Sequence, residues 1–569
     1  MSIPRRTLPL WKGKTMDTTT KLSRRGLLAG AGLGTLALAL SACDANGRSA
    51  NASASAPASP GGTMTILTSA TDVNFDPAKS QSMAVTSLGL VHRRLTSWKI
   101  APGAEAEVVP DLATDTGTVS DDGLTWTYTL KNDVRMEDGK PVTAAMVKNG
   151  LERSFSATLS GGLGYHKALL AGTKGYQGPS GGKHLASIET PDDKTLVFHL
   201  EHPYGDWPWI ASTPAFAPVP EGADATSYAR KPVASGPYRV AEYKQGSSVR
   251  LERNAQWSAD NDQVRTAMPD VITFSLGQDE SVASQRLIAD AGADRNAFGA
   301  DLVAAAQLAQ VSANPSAKQR LVTSSAGPLQ YLAINTTRIT DLDVRKAIAL
   351  AVDKAAVISA LGGELGAVTA STFITPGIPG REEFDLFPTS PDQAKQLLAG
   401  KKVPALTLLT QNTAAPTAMA QAVAQSLTEA GFTVNIAPVE SDTWTERATQ
   451  GNGSGYDLAI ASWNPDYPSA NANLQPLFAS SEIGQGGYNI SRWSDPAVDS
   501  AIREATENQD AEAAKRQWAA IDRQIAEQVP AVPLAYRRNS FLHGSGVSNF
   551  FVEPFPAYPN YLVLGVSGS

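Results

Sequence analysis

The segment SWNPDYPSA, residues 462–470, gathers side chains that suit ligand binding. It follows the apolar run YDLAIA, which has the pattern of a buried strand. Loops at the ends of strands in α/β proteins commonly carry binding residues. Trp463, Asn464, Asp466 and Tyr467 are therefore candidate ligand-binding residues. Two alternatives stay open, because an Asp between prolines also suits an Asx-turn and the two rings either line a cleft or pack inside the protein.

Asn335, in the segment YLAINTT, is a further candidate. Its amide either contacts a ligand or has a structural role. Residue type and position leave both interpretations open.

Motifs that mark catalytic chemistry are missing from the sequence. It contains no G-x-x-x-x-G-K-[ST] phosphate loop, no G-x-S-x-G elbow and no H-E-x-x-H zinc helix. His199 and His202 are close in sequence, but a spacing of three along a strand directs their side chains to opposite faces. We therefore expect no catalytic residue, no metal site and no cofactor. The alternative to a protein without catalytic activity is an enzyme, namely an exported hydrolase.

Cys43 is the single cysteine of the chain, so no intrachain disulfide can form. The basic residues Lys21, Arg24 and Arg25 and then an apolar, glycine-rich run to Leu40 precede it, which is typical of a signal peptide over residues 1–42. Leu40 to Cys43, LSAC, resembles a bacterial lipobox, in which the cysteine is acylated. We therefore expect a lipid anchor at Cys43 followed by a flexible linker over residues 43–60.

The export route and the start residue stay open. SRRGLL, residues 23–28, resembles a twin-arginine signal, and the general secretory route is the alternative. Met16 is an alternative start to Met1, because a signal peptide does not need the residues before it.

The charge balance argues against a nucleic-acid partner. The chain has 48 basic and 55 acidic residues, a formal net charge of −7, and no basic block after the signal segment. Hydrophobic residues make up 42% of the chain, which predicts a folded protein after the linker.

Elements that would position the candidate residues are recognisable from their periodicity. LTWTYTL, residues 124–130, and the run from Thr195 alternate as half-buried strands, and a short amphipathic helix lies between them behind a cap at Thr143. The second half predicts a helix from residue 343 to Gly362, capped by Asp341 or Asp343, and a helix with a capping box at Ser390 and Gln393. Residues 405–439 read as strand, helix, strand, which predicts a parallel pair. The fold class is therefore α/β.

Several segments resemble, in order, the oligopeptide- and dipeptide-binding family of ABC-transporter substrate-binding proteins. They are Pro110 to Ala113, DDGLTWTYTL at 121–130, Asp138 to Ala144, SGPYRVAEYKQGSSVRLERNAQW from Ser235, YLAINTTRITDLDVRKAIALAVDK from Tyr331, and YDLAIASWNPDYPSANANLQPLF from Tyr456. One departure is VRMEDG, where relatives usually have an aromatic residue and a His or Ser before Asp-Gly. The resemblance covers nearly all of the chain after the linker.

The resemblance implies a two-lobed periplasmic-binding-protein-like fold of type II, with an extra domain inserted in lobe I. We assign residues 61–94, 232–328 and 537–569 to lobe I, 95–231 to the strand-rich inserted domain, and 329–536 to lobe II. A ligand would bind between the lobes, which close on it by a hinge motion.

The family also implies a function: an extracytoplasmic lipoprotein that captures a short peptide and delivers it to an ABC permease. It would be a monomer on the outer face of the cytoplasmic membrane. In peptide-binding members, the carboxylate that matches Asp466 pairs with the terminal ammonium of the peptide. A non-peptide ligand, such as a metal chelate, haem or oligosaccharide, is the alternative within this class.

Overall fold

The computed structural model describes residues 60–567, except 160, 180–181, 304 and 485. The predicted signal peptide, Cys43 and the linker up to residue 59 lie outside the described residues. Within the described part of the chain, no helix has the length and apolar character needed to cross a membrane.

The elements alternate between strands and helices along the chain. The strands are β1 Thr63–Leu67, β2 Thr96–Lys99, β3 Glu107–Pro110, β4 Thr118–Val119, β5 Thr125–Thr129, β6 Ile188–Glu189, β7 Thr195–His199, β8 Tyr238–Lys244, β9 Ser248–Arg253, β10 Val271–Ser275, β11 Ala297–Gly299, β12 Leu321–Thr323, β13 Leu329–Ile334, β14 Ala367–Thr369, β15 Leu406–Gln411, β16 Val434–Val439, β17 Leu458–Trp463, β18 Ala531–Arg537, β19 Ser540–Leu542, β20 Val547–Ser548 and β21 Gly565–Val566. The helices are α1 Ser87–Val91, α2 Ala144–Arg153, α3 Tyr165–Leu169, α4 Trp207–Ile210, α5 Glu280–Ala289, α6 Ala305–Ala313, α7 Pro315–Gln319, α8 Leu342–Ala351, α9 Lys354–Ala360, α10 Pro391–Leu398, α11 Ala414–Glu429, α12 Ser441–Thr445, α13 Asn471–Phe478, α14 Pro496–Glu507 and α15 Ala511–Gln528.

Three large sheets contain most of these strands, and the other strands in the described part of the chain form two-stranded sheets. A five-stranded sheet has the order β11-β1-β10-β9-β8, a four-stranded sheet has the order β4-β5-β7-β6, and a six-stranded sheet has the order β14-β18-β13-β17-β15-β16. The five-stranded sheet lies within the predicted lobe I and the four-stranded sheet within the predicted inserted domain. The six-stranded sheet lies within predicted lobe II, except that β18 extends one residue further to Arg537.

The elements predicted in the N-terminal third are confirmed. β5 buries Trp126 and Tyr128 on one face, as the alternation requires. The ring of Tyr128 packs edge-on against Phe198 of β7, with 5.8 Å between the ring centroids. Thr143 caps α2, because its hydroxyl accepts a hydrogen bond from the backbone N–H of Met146.

The parallel pair predicted over residues 405–439 is also confirmed. β15 and β16 pair in parallel from Leu406 with Val434 to Gln411 with Val439, and α11 connects them. β15 pairs in parallel with β17 as well, whereas β13 runs antiparallel to both β17 and β18.

The single helix predicted for residues 343–362 is wrong, because this stretch forms two helices. α8 ends before Val352, whose backbone is extended, and α9 begins after Asp353. Asp341 caps α8, and it is one of the two residues predicted for this cap. The Asp353 carboxylate accepts hydrogen bonds from the first amides of α9, and this starts a new helix instead of extending α8.

The predicted capping box at Ser390 is also wrong. α10 begins at Pro391 as expected, but the Ser390 side chain makes no capping hydrogen bond. The backbone N–H of Ser390 donates instead to the carbonyl of Leu350 at 2.7 Å, which ties the start of α10 to α8.

The start of β13 and the end of β18 lie side by side at one end of the six-stranded sheet. Leu329 begins β13 and pairs with Tyr536 near the end of β18, and the same Leu329 pairs with Trp463 at the end of β17. Outside this sheet, β12 and β19 pair with each other. The two segments predicted to connect lobe II to the rest of the protein therefore run side by side.

A buried charge cluster joins Asp111, which directly follows β3, to charged residues of the predicted lobe I. The Asp111 carboxylate accepts from Arg93 Nε at 2.7 Å, from Arg265 Nη1 and Nη2 at 3.0 and 2.9 Å, and from the backbone N–H of Arg94 at 3.0 Å. Asp262 also pairs with Arg265, at 3.1 Å. The side chains of Arg93, Asp111, Asp262 and Arg265 are almost completely buried.

The charges of this cluster set the protonation of Asp262. Burial by itself acts to raise the pKa of this carboxyl, but the charges of Arg265 and Arg93 lower it to about 2. The pKa in the folded state is therefore below the ordinary value for Asp. Asp262 accordingly stabilises the fold above the ordinary pKa, and that contribution is lost as the pH falls toward 2.

Replacing Asp111 with Ala should destabilise the protein strongly. The two guanidinium groups would stay buried without this carboxylate, and breaking a buried charge pair in this way costs about 3–5 kcal/mol. Urea unfolding at pH 7, followed by tryptophan fluorescence, measures the change. Asp121→Ala, at an exposed turn before β5, is the control and should leave the midpoint unchanged. Equal midpoints for the two variants would contradict the assigned role of the cluster.

Candidate functional site

Asp466 lies in the loop between β17 and α13, and its side chain is exposed. The hydroxyl of Tyr165, at the start of α3, donates a hydrogen bond to Asp466 Oδ2 at 2.5 Å. Burial and the nearby negative charge of Asp466 raise the pKa of Tyr165 above its ordinary value, so this hydroxyl stays protonated and remains a donor. Because Tyr165 belongs to the predicted inserted domain, the contact brings two parts of the chain together at the candidate residue.

Tyr467 is buried and supports the hydrogen bond between Tyr165 and Asp466. It is 2% exposed, and its ring packs at 89° against the ring of Tyr165, with 5.3 Å between centroids. Its hydroxyl lies 2.8 Å from the hydroxyl of Tyr204, which also accepts a hydrogen bond from Asn471 Nδ2 at 3.0 Å. Of the two alternatives for Tyr467, the structure favours packing over lining a cleft.

Trp463 and Asn464 line a cavity of about 340 Å³. The indole N–H of Trp463 donates to the carbonyl of Ala472 at 2.8 Å, and its ring packs against Tyr488, with 5.2 Å between centroids. Gln411, the last residue of β15, lines the same cavity. The cavity therefore lies at the carboxyl ends of the parallel strands β15 and β17, where α/β sheets commonly bind ligands.

The other end of the same loop borders a second cavity, of about 410 Å³. Its lining includes Ser469, Asp206, and tryptophans from β5, α4 and α15. Burial raises the pKa of Asp206 to about 6, although hydrogen bonds from Ser469 and Asn471 act in the opposite direction. The start of the loop therefore lines one cavity and its end lines the other. Asp466 and Tyr467 lie between these two stretches of the loop.

Asn335 lies apart from these cavities, fully buried at the end of β13. Its Nδ2 donates to the carbonyls of Gly453 and Tyr456 at 2.8 and 3.0 Å, and its Oδ1 accepts from the hydroxyl of Thr337 at 2.7 Å. The side chain amide is thus engaged within lobe II. Of the two interpretations of Asn335, the structure supports the structural role.

Sequence reasoning missed Tyr165, Tyr204 and Asp206, which meet the 463–471 segment from the predicted inserted domain. Tyr165 is 301 residues away from Asp466 in sequence, so no local pattern connects them. The one available signal is a tyrosine directly after a glycine-rich turn, GGLGY, and that signal is too common to be specific.

Neighbouring side chains engage both ring nitrogens of His199, one of the two histidines that are close in sequence. His199 Nε2 lies 2.9 Å from a carboxylate oxygen of Glu189, and His199 Nδ1 lies 3.3 Å from the hydroxyl of Thr125. Within residues 60–567, apart from the positions that the structure leaves out, no group of three or more His, Cys, Asp or Glu side chains is placed to hold a metal ion.

Comparison with known families identifies the fold that carries this site. The family model described as bacterial extracellular solute-binding proteins, family 5 Middle, matches residues 107–485. The chain belongs to this family. Its members are extracellular solute-binding proteins, and the match includes both Tyr165 and the loop with Asp466.

Relatives cover nearly the full folded chain. The sequence is 26% identical over 515 residues to "Probable di/tripeptide-binding protein 5" of Pseudomonas aeruginosa, which covers 87% of this chain and 94% of that protein. A solved structure titled "Clavulanic acid biosynthesis oligopeptide binding protein 2" is 29% identical, with a TM-score of 0.81 over 90% of this chain and 96% of that one. The unliganded open form of the murein tripeptide-binding protein MppA has a TM-score of 0.71 at 22% identity, covering 89% of this chain and 97% of that one. The family 5 protein therefore has the two-lobed type II fold.

Replacing Asn335 with Ala should lower stability, since the carbonyls of Gly453 and Tyr456 would lose their donor. Each buried group left without a partner costs about 1–3 kcal/mol. Asn464→Ala, at an exposed position on the cavity, is the matched comparison and should leave stability unchanged. Thermal unfolding followed by circular dichroism distinguishes the two. An Asn335→Ala variant as stable as the native protein would argue against the structural role.

Proposed function

We propose that this protein captures a short peptide between lobe II and the region that contains Tyr165, and delivers it to an ABC permease. The observation that carries the proposal is the exposed Asp466 carboxylate at the end of β17, which faces the Tyr165 hydroxyl. This carboxylate would receive the terminal ammonium of the peptide.

The chemistry of an ammonium requires such a partner. Closure of the lobes removes water from the ammonium, and a charge that loses water without a partner is strongly destabilised. A carboxylate restores that interaction through short, charge-assisted hydrogen bonds. Asp466 accepts one neutral hydrogen bond from Tyr165, and an ionised carboxylate has about four acceptor sites, so it has capacity for the ammonium as well.

The names of relatives support a peptide as the ligand. Beside the Pseudomonas aeruginosa protein, the sequence is 23% identical over 474 residues to "Dipeptide-binding protein DppE" of Bacillus subtilis. A structural neighbour, DppA from Helicobacter pylori, is titled as a complex with the peptide STSA. A non-peptide ligand is the second candidate, since another neighbour, AgaA, is titled as a complex with agropinic acid.

The arrangement of lobes belongs to the same proposal. Each of the three large sheets falls within one of the assigned regions, apart from the last residue of β18, and this supports lobe I, the inserted domain and lobe II with the bounds given above. The protein would act as a monomer, and it would return its ligand chemically unchanged.

Replacing Asp466 with Asn should weaken peptide binding by roughly 30-fold to several thousand-fold, which corresponds to about 2–5 kcal/mol for the loss of one partner of a buried charge pair. The substitution keeps the shape and removes the charge. Acetylating the amino terminus of the peptide should cause a similar loss with the native protein and a much smaller further loss with the variant. Calorimetric titration of both proteins with both peptides measures this coupling.

Asp392→Asn is the matched control, because Asp392 is exposed on α10 in lobe II and lies outside the loop and both cavities. It should bind the free peptide like the native protein. Additive losses in the cycle, or equal binding of free and acetylated peptide, would show that Asp466 is a turn residue or that the ligand is not a peptide.

We also propose that the exported protein is held on the outer face of the cytoplasmic membrane by lipid at Cys43. The lipobox-like LSAC and the polar linker after it support this anchor. Membership of an extracellular family agrees with export.

Replacing Cys43 with Ala should move the protein from the membrane fraction to the soluble fraction, because the sole acylation site of this type is removed. Fractionation of cells that express the full chain, followed by immunoblotting, measures the distribution. Ser49→Ala in the linker should stay with the membrane. A Cys43→Ala variant that resists a high-salt wash of the membranes would rule out the lipid anchor.

A further inference from the structure

The cavity beside Trp463 has an uncharged and strongly aromatic lining. Aromatic rings, amides and hydroxyl groups make up most of it, and the remaining residues are apolar; the lining is Gln330, Tyr331, Gln411, Pro416, Met419, Trp444, Thr445, Ile460, Ala461, Ser462, Trp463, Asn464 and Tyr488. None of these residues is charged. A charged group inside this cavity would therefore lose water without gaining an ionic partner.

Trp444 gives independent support for an occupant. It is 6% exposed, and its indole N–H is buried and has no hydrogen-bond partner among the residues that the structure describes. The indole N–H of Trp463, in contrast, is held by Ala472. A buried donor without a partner is costly, and an aromatic ring can accept an N–H through its π face.

The volume of this cavity and the exposure of Tyr488 also suit an aromatic side chain of the ligand. The volume of about 340 Å³ is in the lower part of the range of roughly 300–1,000 Å³ that is typical of ligand sites. Tyr488 is 42% exposed and packs against Trp463, so it offers an accessible aromatic surface at this cavity. Pairs of aromatic rings gain energy beyond the area that they bury.

The cavity is within reach of Asp466. Asn464 lines it and precedes Asp466 by two residues, which span at most about 7 Å between Cα atoms. We propose that this cavity receives an uncharged aromatic side chain from the first or second residue of the bound peptide, and so selects the ligand. This inference rests on the proposed peptide function and adds a specificity to it.

Tripeptides that carry Phe, Lys or Glu at position one or two, with Ala elsewhere, test the selection. At one of these positions, the native protein should bind the Phe peptide at least about tenfold more tightly than both charged peptides. Calorimetric titration with the full folded protein measures the affinities. Equal binding of Phe, Lys and Glu at both positions would overturn the inference while leaving the peptide function intact, whereas no binding of any tripeptide would overturn both.

The Ser462→Asp variant tests the same selection by changing the cavity instead of the peptide. Ser462 is exposed and lines the cavity, so the new carboxylate would be tolerated and would face the occupant. At the selective position, the ratio of Lys to Phe affinity should rise by about tenfold, and the Glu peptide should weaken further. Ser454→Asp, exposed in the turn before β17, is the control and should leave the ratio unchanged. The same ratio in both variants would overturn the assignment of this cavity.

Discussion

The architecture depends on one buried carboxylate, that of Asp111. It lies between the guanidinium groups of Arg93 and Arg265, which come from segments more than 150 residues apart. All three charged side chains are buried, so the carboxylate and the two guanidinium groups each need their oppositely charged partner to stay in place. Because Asp111 directly follows β3, the cluster fixes the start of the predicted inserted domain against lobe I. Tyr165 belongs to the same predicted domain.

A second constraint comes from strand order in lobe II. β13 runs antiparallel to β17, and this places its first residue, Leu329, beside Trp463. The end of β18 lies on the other side of Leu329. The two predicted connections to lobe I and the loop with Asp466 are therefore at the same end of the sheet. A rotation about those connections would move the candidate site relative to the inserted region, which is the geometry that a hinge-closing receptor requires.

Much of this could be predicted from sequence, and the failures have physical reasons. The alternation in β5 and the strand, helix, strand order of residues 405–439 determine local structure through periodic burial. The break at Val352 was missed because the periodicity of apolar residues continues across it, although Asp353 carried the capping signal. Asp466 could be proposed as a binding residue from a local motif. Its partner Tyr165 could not, because that contact depends on how two distant regions pack.

The chemistry of the Tyr165 contact explains how the site combines order with access. A tyrosine hydroxyl is a neutral donor, so it orients the carboxylate of Asp466 without cancelling its charge. An arginine at position 165 would neutralise the carboxylate and compete directly with an arriving ammonium. Burial keeps the Tyr165 hydroxyl protonated, and the ring of Tyr467, which packs edge-on against the Tyr165 ring, holds it in position. Under the proposed function, the loop is pre-organised for the ammonium of a peptide while the negative charge of Asp466 remains available, and the uncharged cavity proposed to select a side chain begins two residues away at Asn464.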